Sequence, residues 1–110
     1  MKRGTNQVMG IRIKDGLADV DKILFKFSQG NKSILFKYPG EKAAADREDP
    51  DVVNLLWTYK DTFTFEAGKT IYLDTLIRMK NTNTTPEVPI KEMVMAPTLF
   101  REAEVGDFYG

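Results

Sequence analysis

The 110-residue chain contains no cysteine and no histidine. Without cysteine it can form no disulfide, no thiolate nucleophile and no Cys-ligated metal site. Without histidine it lacks the commonest general base and the commonest metal ligand. These absences exclude most catalytic constellations, and the lack of cysteine suits synthesis in a reducing cytosol. We therefore expect a protein that is not an enzyme and that holds no cofactor or metal ion.

An excess of charge of either sign is also lacking, because 16 Lys and Arg residues balance 16 Asp and Glu residues. Such a chain has no overall field that would attract it to nucleic acid or to an anionic membrane. It contains no run of about 18 apolar residues, and the basic start at Lys2 and Arg3 leads into no apolar stretch of signal-peptide type. We expect neither nucleic acid nor a membrane as a partner.

The composition that is present is ordinary for a globular protein, with 42% hydrophobic and 29% charged residues. This is too apolar for intrinsic disorder, and the length suits one hydrophobic core. We expect a single domain over residues 1–105 and a flexible tail over residues 106–110. Leu99 and Phe100 are expected to dock on the domain.

Apolar and polar residues alternate along several short stretches, which is the pattern of strands with one buried face. The predicted strands span residues 8–13, 20–28, 32–38, 52–59, 70–79 and 88–95. Gln29-Gly30-Asn31 predicts a hairpin turn, because Gly and Asn accept the positive φ of a tight turn. Residues 52–59 also fit a short helix, but the run is short and both flanks resemble strands, so a strand is favoured.

The stretches between these strands are polar. Residues 41–51 are predicted to form a solvated loop around three alanines, with one helical turn at residues 43–45. Residues 80–86 contain no apolar residue and predict a loop. Pro89 cannot donate a ladder hydrogen bond, so it should lie at a sheet edge or at the start of the last strand.

Six short strands without a long helical pattern predict an all-β fold of two packed antiparallel sheets. Phe63 or Phe65 is expected to close one end of the core. The side chains expected to face inward from the strands are Ile11, Ile13, Ile23, Phe25, Phe27, Ile34, Phe36, Trp57, Ile71, Leu73 and Ile77.

Two motifs resemble sites for phosphate or calcium, but neither has the residue spacing that such a site needs. Gly68-Lys69-Thr70 resembles the end of a phosphate-binding loop, yet Phe63 stands where that motif needs a glycine, and a strand follows instead of a helix. A hairpin turn is the better interpretation. Two acidic groups could offer oxygen ligands to calcium, but neither has the EF-hand spacing, so solvated loops are favoured. The members of these groups are Asp15, Asp19 and Asp21, and Asp46, Glu48, Asp49 and Asp51.

Four residues form the candidate interaction surface. Asn81 and Asn83 lie in the Asn/Thr-rich loop. Met93 and Met95 share one late strand and, with Met79, could form an adaptable apolar patch for a partner. The alternative for these methionines is that they fill the core, which is the commoner role.

Aromatic side chains at the surface could stack on sugars or bases. The candidates are Trp57, Tyr38, Tyr59, Tyr72 and Tyr109. A lone tryptophan in a β-sandwich is more often part of the core than a contact residue.

Two segments resemble a group of small phage proteins from Firmicutes. The first is Lys2-Arg3-Gly4-Thr5, and the second is Thr58-Tyr59-Lys60-Asp61-Thr62-Phe63-Thr64-Phe65-Glu66-Ala67-Gly68-Lys69. In that group a basic-Gly-Thr start precedes strands, and a T-x-x-D-T-hydrophobic-x-F-x-x-G-K segment leads into a strand that ends in an Arg-containing run. Here that run is Leu76-Ile77-Arg78-Met79. The resemblance spans roughly residues 2–100.

The resemblance implies an immunoglobulin-like antiparallel β-sandwich of about six to eight strands. Such domains are encoded among phage or prophage structural genes and are similar to the amino-terminal domain of upper-baseplate proteins. The implied partners are other virion structural proteins, and a homo-oligomer is compatible with this role. The implied location is the virion, assembled in the cytoplasm of the bacterial host. The resemblance supplies no catalytic residue and leaves open which sheet edge is used in assembly.

Two functional hypotheses follow. The first is a non-enzymatic structural or adaptor protein of a phage tail or baseplate, which acts through sheet-edge or loop contacts with other proteins. The alternative is a carbohydrate or host-surface binding module that uses loop aromatics and the loop at residues 80–86.

Overall fold

A computed structural model of the chain describes residues 1–82 and 84–110. Seven strands and two short helices make up the regular structure of these residues. In chain order they are β1 (Gln7–Arg12), β2 (Val20–Gln29), β3 (Lys32–Tyr38), β4 (Ala43–Ala45), β5 (Val52–Trp57), α1 (Tyr59–Thr64), β6 (Ile71–Met79), β7 (Lys91–Met93) and α2 (Glu102–Tyr109).

The strands form two antiparallel sheets that pack against each other. The smaller sheet has the order β1-β5-β4 and the larger sheet the order β3-β2-β6-β7. The prediction of an all-β antiparallel sandwich of six to eight strands is therefore confirmed. The likeness to immunoglobulin domains is one of architecture. In a constant-type domain the second and third strands lie in different sheets, whereas β2 and β3 are neighbours in one sheet here.

The hairpin between β2 and β3 is the one that the sequence predicts. Gln29 pairs with Lys32, so the loop contains only Gly30 and Asn31. Gly30 has a φ of 60°, a backbone conformation that glycine adopts without strain. The turn fixes the register of the hairpin, and this register places Phe25 and Phe36 side by side on its inner face.

Aromatic side chains join the two sheets at the centre of the core. Trp57 of β5 lies edge-on to Phe27 of β2, with ring centroids 4.6 Å apart, and its ring centroid is 5.2 Å from that of Phe36 on β3. Phe65 closes the same end of the core, with its ring centroid 6.3 Å from that of Trp57. Burial of each such side chain contributes about 1.5–3 kcal/mol. This aromatic cluster (Phe27, Phe36, Trp57 and Phe65) holds the sandwich together.

The predicted inward-facing set is largely confirmed. Nine of its members are buried: Ile13, Ile23, Phe25, Phe27, Phe36, Trp57, Ile71, Leu73 and Ile77. Ile11 and Ile34 are half-buried and pack against this core. Phe65 rather than Phe63 is the fully buried plug, because Phe63 lies on α1 and packs against the amino-terminal segment.

The predicted helical turn at residues 43–45 is wrong, because these residues form β4. Ala43, Ala44 and Ala45 pair with Leu55, Asn54 and Val53 of β5. The ladder satisfies backbone groups that a solvated loop would leave to water, and the side chain of Ala43 is completely buried. Pairing with a neighbouring strand thus overrides the helix propensity of alanine.

The last predicted strand is shorter than expected. Residues 88–95 were predicted to be extended throughout, but only Lys91–Met93 pairs with β6. Pro89 precedes the paired residues, as its missing N–H requires. The face assignment is confirmed, since Ile90 and Val94 are exposed while Met93 and Met95 turn inward.

Two predictions for the carboxyl-terminal region are wrong. Leu99 is fully exposed and Phe100 largely so, and neither docks on the sandwich. Residues 106–110 are not a flexible tail, because residues 102–109 form helix α2. The helix is held by the buried side chain of Val105 and by Tyr109, whose ring stacks on Tyr59 of α1 with centroids 5.5 Å apart.

Candidate interaction surfaces

Three of the four predicted interaction residues can be placed. Asn81 is exposed beyond the end of β6, and Asn83 lies outside the described residues. Met93 is half-buried against the core. Met95 is only 1% exposed, and its carbonyl accepts a hydrogen bond from the N–H of Gly68 at 3.1 Å. The core role is therefore the correct one for Met95, and its assignment to a contact surface is wrong.

A carboxyl-terminal apolar segment is exposed instead. We define it by three side chains: Leu99 is 102% exposed, Phe108 is 81% exposed and Phe100 is 58% exposed. The Nζ of Lys2 lies 5.7 Å from the centroid of the Phe100 ring. Large apolar side chains left in water in one region are typical of a surface that another molecule covers. The sequence pattern gave no sign of this exposure, because apolar residues in a tail suit docking equally well.

The outer face of the larger sheet is partly apolar. Leu24 on β2 is directly opposite Leu76 on β6, and Leu35 on β3 is a diagonal neighbour of Leu24. Leu35 and Leu76 are both exposed. Lys26 and Asp74, which face each other across the same strands, interrupt the patch with charge. Opposite charges in such a pair stabilise a solvated face, so this surface has an explanation without a partner.

The two segments that carry the phage resemblance contact each other. In the second segment Thr58 caps α1: its hydroxyl accepts from the N–H of Asp61 at 3.3 Å, and the Asp61 carboxylate accepts from the N–H of Thr58 at 2.9 Å. This reciprocal capping box fixes the start of the helix. The Thr-x-x-Asp spacing was available in the sequence, and it is the signal by which α1 could have been predicted.

Thr62 links that helix to the first segment. Its buried hydroxyl accepts from the N–H groups of Gly4 and Thr5 at 2.9 and 3.0 Å. Gly4 has a φ of 79°, and a Cβ there would lie 2.6 Å from the ring of Phe63. Glycine is therefore required both for the backbone conformation and for the close approach of the ring.

Arg3 completes this contact. Its guanidinium donates to the carbonyls of Phe65 and Phe63 at 2.7 and 3.1 Å and lies 5.0 Å from the Phe63 ring centroid. We call this arrangement of Arg3, Gly4, Thr62 and Phe63 the amino-terminal clasp. Its side chains are engaged in holding the chain start to α1, so the residues that carry the resemblance have a role in folding.

The aromatic candidates offer little stacking surface. Trp57 is buried in the core. Tyr59 and Tyr109 stack on each other, and the Tyr109 hydroxyl accepts from the N–H of Asn6 at 3.0 Å. Tyr72 is half-exposed on the outer face of the larger sheet. A sugar-binding platform needs free aromatic faces, and among these four rings Tyr72 is the one that keeps an exposed face without a ring contact in the described chain.

Two carboxylates of the acidic loop after β4, those of Asp46 and Asp49, bond within the protein. Asp46 accepts from the side chain of Asn54 at 2.8 Å and from the N–H groups of Glu48 and Asp49, and these bonds lower the pKa of Asp46. The hydrogen bond from Arg12, at 2.7 Å, lowers the pKa of Asp49. Over residues 1–82 and 84–110 no group of three or more acidic side chains is arranged to hold a metal ion.

A cleft of about 590 Å³ opens between the two sheets beside β1. Ile11 and Ile13 line it from the smaller sheet, and Leu73 and Ile77 line it from β6. Residues 84–89 form its far wall, which includes Val88. The cleft is predominantly apolar, and its lining also includes the carboxylate residues Asp15 and Glu87.

Comparison of the chain with protein-family models, with curated proteins and with solved structures finds no match. Neither helix of the described part of the chain has the length and apolar character needed to cross a membrane. The phage resemblance is thus a prediction from the two quoted segments alone.

Proposed function

We propose that this chain is a non-enzymatic structural or adaptor protein of a phage or prophage virion, in the tail or baseplate, that acts through contacts with other proteins. The resemblance of residues 2–5 and 58–69 to small phage proteins supports the virion assignment. The carboxyl-terminal apolar segment supports contact-based action. The chemistry of the side chains agrees, since the sequence contains neither cysteine nor histidine.

The exposure of Leu99 and Phe108 is the single observation that carries the proposal. Isolated apolar side chains at a surface are normal, but a nearly fully exposed Leu and Phe in one short region are unusual for a protein that acts alone. Burial of each against a partner would contribute about 1.5–3 kcal/mol to association. A neighbouring protein of an assembled particle is a partner that would cover them permanently.

The carbohydrate alternative has less support. Tyr59 and Tyr109 occupy each other's faces, and Trp57 lies in the core. Binding of the purified chain to a cell-wall glycan array, at the level of a control lectin, would favour that alternative over ours.

Mass spectrometry of purified particles tests the proposal. Particles induced from a host that carries the gene are separated on a density gradient, and the fractions are analysed for this chain. We expect it to co-purify with tail or baseplate proteins at a constant ratio across the particle peak. Its absence from infectious particles would contradict the proposal.

A double variant tests whether the carboxyl-terminal apolar segment makes the contact. We expect Leu99→Ser with Phe108→Ser to fold normally, because both side chains are already exposed, but to be lost from the particle fraction. Glu102→Gln, a change at an exposed polar position of the same region, is the matched control and should be incorporated. Incorporation of the double variant at the wild-type level would show that this segment is not the contact surface.

A further inference from the structure

Strand β1 is an edge of the smaller sheet, and the direction of its backbone groups follows from its pairing with β5. The N–H of Ile13 donates to the carbonyl of Asp51 at 2.7 Å, so the odd-numbered residues of β1 bond to β5. Successive residues of an antiparallel strand direct their backbone groups to opposite sides. The N–H and C=O groups of Val8, Gly10 and Arg12 therefore point away from the sheet.

These outward groups have no hydrogen-bond partner among residues 1–82 and 84–110. Edge strands of monomeric proteins are usually protected by lysine, by proline, by a bulge or by a covering segment. The six residues of β1 include no lysine and no proline, and the side chain of Val8 is 62% exposed. The edge is thus open to pairing with another strand.

The other strand edges in the described chain are better protected against pairing with another strand. β3 carries Lys32 and Lys37, and the Nζ of Lys42 lies 5.2 Å from the ring centroid of Phe36 on that strand. β4 and β7 are only three residues long. Lysine, cover or short length therefore limits pairing at each of them. The one charged residue of β1, Arg12, is already engaged in an ion pair with Asp49.

The apolar cleft described above lies next to this open edge. Ile11 and Ile13 turn their side chains into it, and its far wall contains Pro86 and Pro89, which have no N–H to offer β1. A strand added to β1 would extend the smaller sheet and place its own inward side chains in the cleft.

We propose that β1 pairs with β1 of a second copy of this chain, antiparallel, across a two-fold axis at Gly10. The two three-stranded sheets then form one continuous sheet of six strands. This pairing is a closed, isologous contact, the commonest kind among soluble homo-oligomers. It requires no other virion component and is therefore independent of the proposed function.

The register centred on Gly10 is self-complementary. Gly10 faces Gly10 of the second copy, and Val8 faces Arg12, so all outward groups of the three residues are paired. On the inner face Met9 lies opposite Ile11 of the second copy, which joins two apolar side chains at the cleft. Each Arg12 also keeps its own partner, Asp49.

The neighbouring symmetric registers, centred on Met9 and on Ile11, are less favourable because each pairs an outward residue with one outside β1. The first places Arg12 opposite Asn6, and the second places Val8 opposite Lys14.

The registers one step further out, centred on Arg12 and on Val8, are also disfavoured. A register centred on Arg12 places the two Arg12 side chains opposite each other, which like charges oppose. A register centred on Val8 brings Asn6 into the ladder, but the N–H of Asn6 already donates to the Tyr109 hydroxyl. Charge and hydrogen bonding both favour Gly10 as the centre, and this self-complementary register is the reason for naming a second copy as the partner.

Sedimentation equilibrium of the purified chain is the first test. We expect a dimer of twice the 12.5 kDa chain mass that dissociates on dilution. Val8→Pro removes an outward N–H while leaving the bonds to β5 intact, and it should weaken dimerisation at least about tenfold. Leu35→Pro is the matched control, because the backbone N–H of Leu35 on β3 also points away from its sheet. It should leave the dimer unchanged.

Amide exchange of the wild-type chain is the second test, and it does not depend on a variant that folds. On raising the concentration, the amides of Val8, Gly10 and Arg12 should gain protection, while those of Met9 and Ile11 stay protected throughout. A chain that remains monomeric at about 1 mM overturns the proposal. So does a dimer in which Leu35→Pro, and not Val8→Pro, causes dissociation, or one without added protection at the three β1 amides.

Discussion

The aromatic cluster and the carboxyl-terminal apolar segment contain the same kinds of side chain in opposite environments. Phe27 and Trp57 are almost completely buried between the sheets, whereas Phe108 and Leu99 are almost completely exposed. Apolar character alone does not decide burial. Phe27 faces inward because its strand alternates and a second sheet covers it. Phe108 meets the Tyr109 ring edge-on, with centroids 5.1 Å apart, and the rest of its side chain is left in water. The comparison shows that one region supports the fold and the other is available for contact.

Truncation of one phenylalanine in each region should give the largest difference. Phe27→Ala creates a cavity beside Trp57 and should lower the free energy of unfolding by about 3–5 kcal/mol. Phe108→Ala, the matched change in the exposed segment, should alter it by less than about 0.5 kcal/mol. Urea unfolding followed by circular dichroism measures both. Equal losses in the two variants would show that the carboxyl-terminal segment packs on the sandwich after all.

Thr62 sharpens the comparison by testing a polar contact in the buried region. Thr62→Val removes the hydroxyl that accepts from Gly4 and Thr5, and it leaves buried N–H groups unpaired. We expect a loss of about 1–3 kcal/mol of unfolding free energy. Thr64→Val, on the more exposed side of the same helix, is the control and should cost less, because among the described residues its hydroxyl bonds only to the Lys60 carbonyl. A similar loss in both variants would argue against the clasp.

The acidic loop should show the smallest effect, because its ion pair is exposed to solvent. Since the Arg12 hydrogen bond lowers the pKa of Asp49 in the folded state, its stabilising effect is present above the ordinary aspartate pKa of about 3.9. It is lost as pH falls through the lowered folded value. Asp49→Asn should therefore be slightly less stable than wild type at neutral pH, and the difference should disappear in acid.

Urea unfolding across a series of acidic and neutral pH values measures this dependence. Glu48→Gln is a suitable control, because its carboxylate makes no hydrogen bond or ion pair within the described chain. If Asp49→Asn and Glu48→Gln depend on pH in the same way, the ion pair with Arg12 does not contribute.

Much of the sandwich could be predicted from alternation and turn chemistry. The inward positions of Phe25 and Ile71 follow from a period of two, and the hairpin follows from Gly30 between two apolar runs. These signals are local, and burial of one face enforces them. They identified the core because a shift of one residue would turn every apolar side chain outward.

The errors concern features that depend on distant parts of the chain. β4 forms because β5 offers a free edge, and three alanines carry no local sign of that partner. Helix α2 is held by Tyr109 against Tyr59, a contact across fifty residues of sequence. The exposure of Leu99 could not be predicted. An apolar residue near a chain end gives the same sequence pattern whether this chain or another molecule covers it. The same reason explains the wrong assignment of Met95 to the interaction surface. Its apolar side chain is compatible with cover by this chain or by a partner.

The position of Trp57 makes its fluorescence an intrinsic reporter of contact between the two sheets. It is the one tryptophan in the sequence, it lies where the two layers meet, and its indole N–H has no acceptor within the described residues. Its emission should therefore be blue-shifted in the native state and move to longer wavelength as soon as water enters between the layers. Separation of the sandwich can thus be followed in real time without attaching a dye.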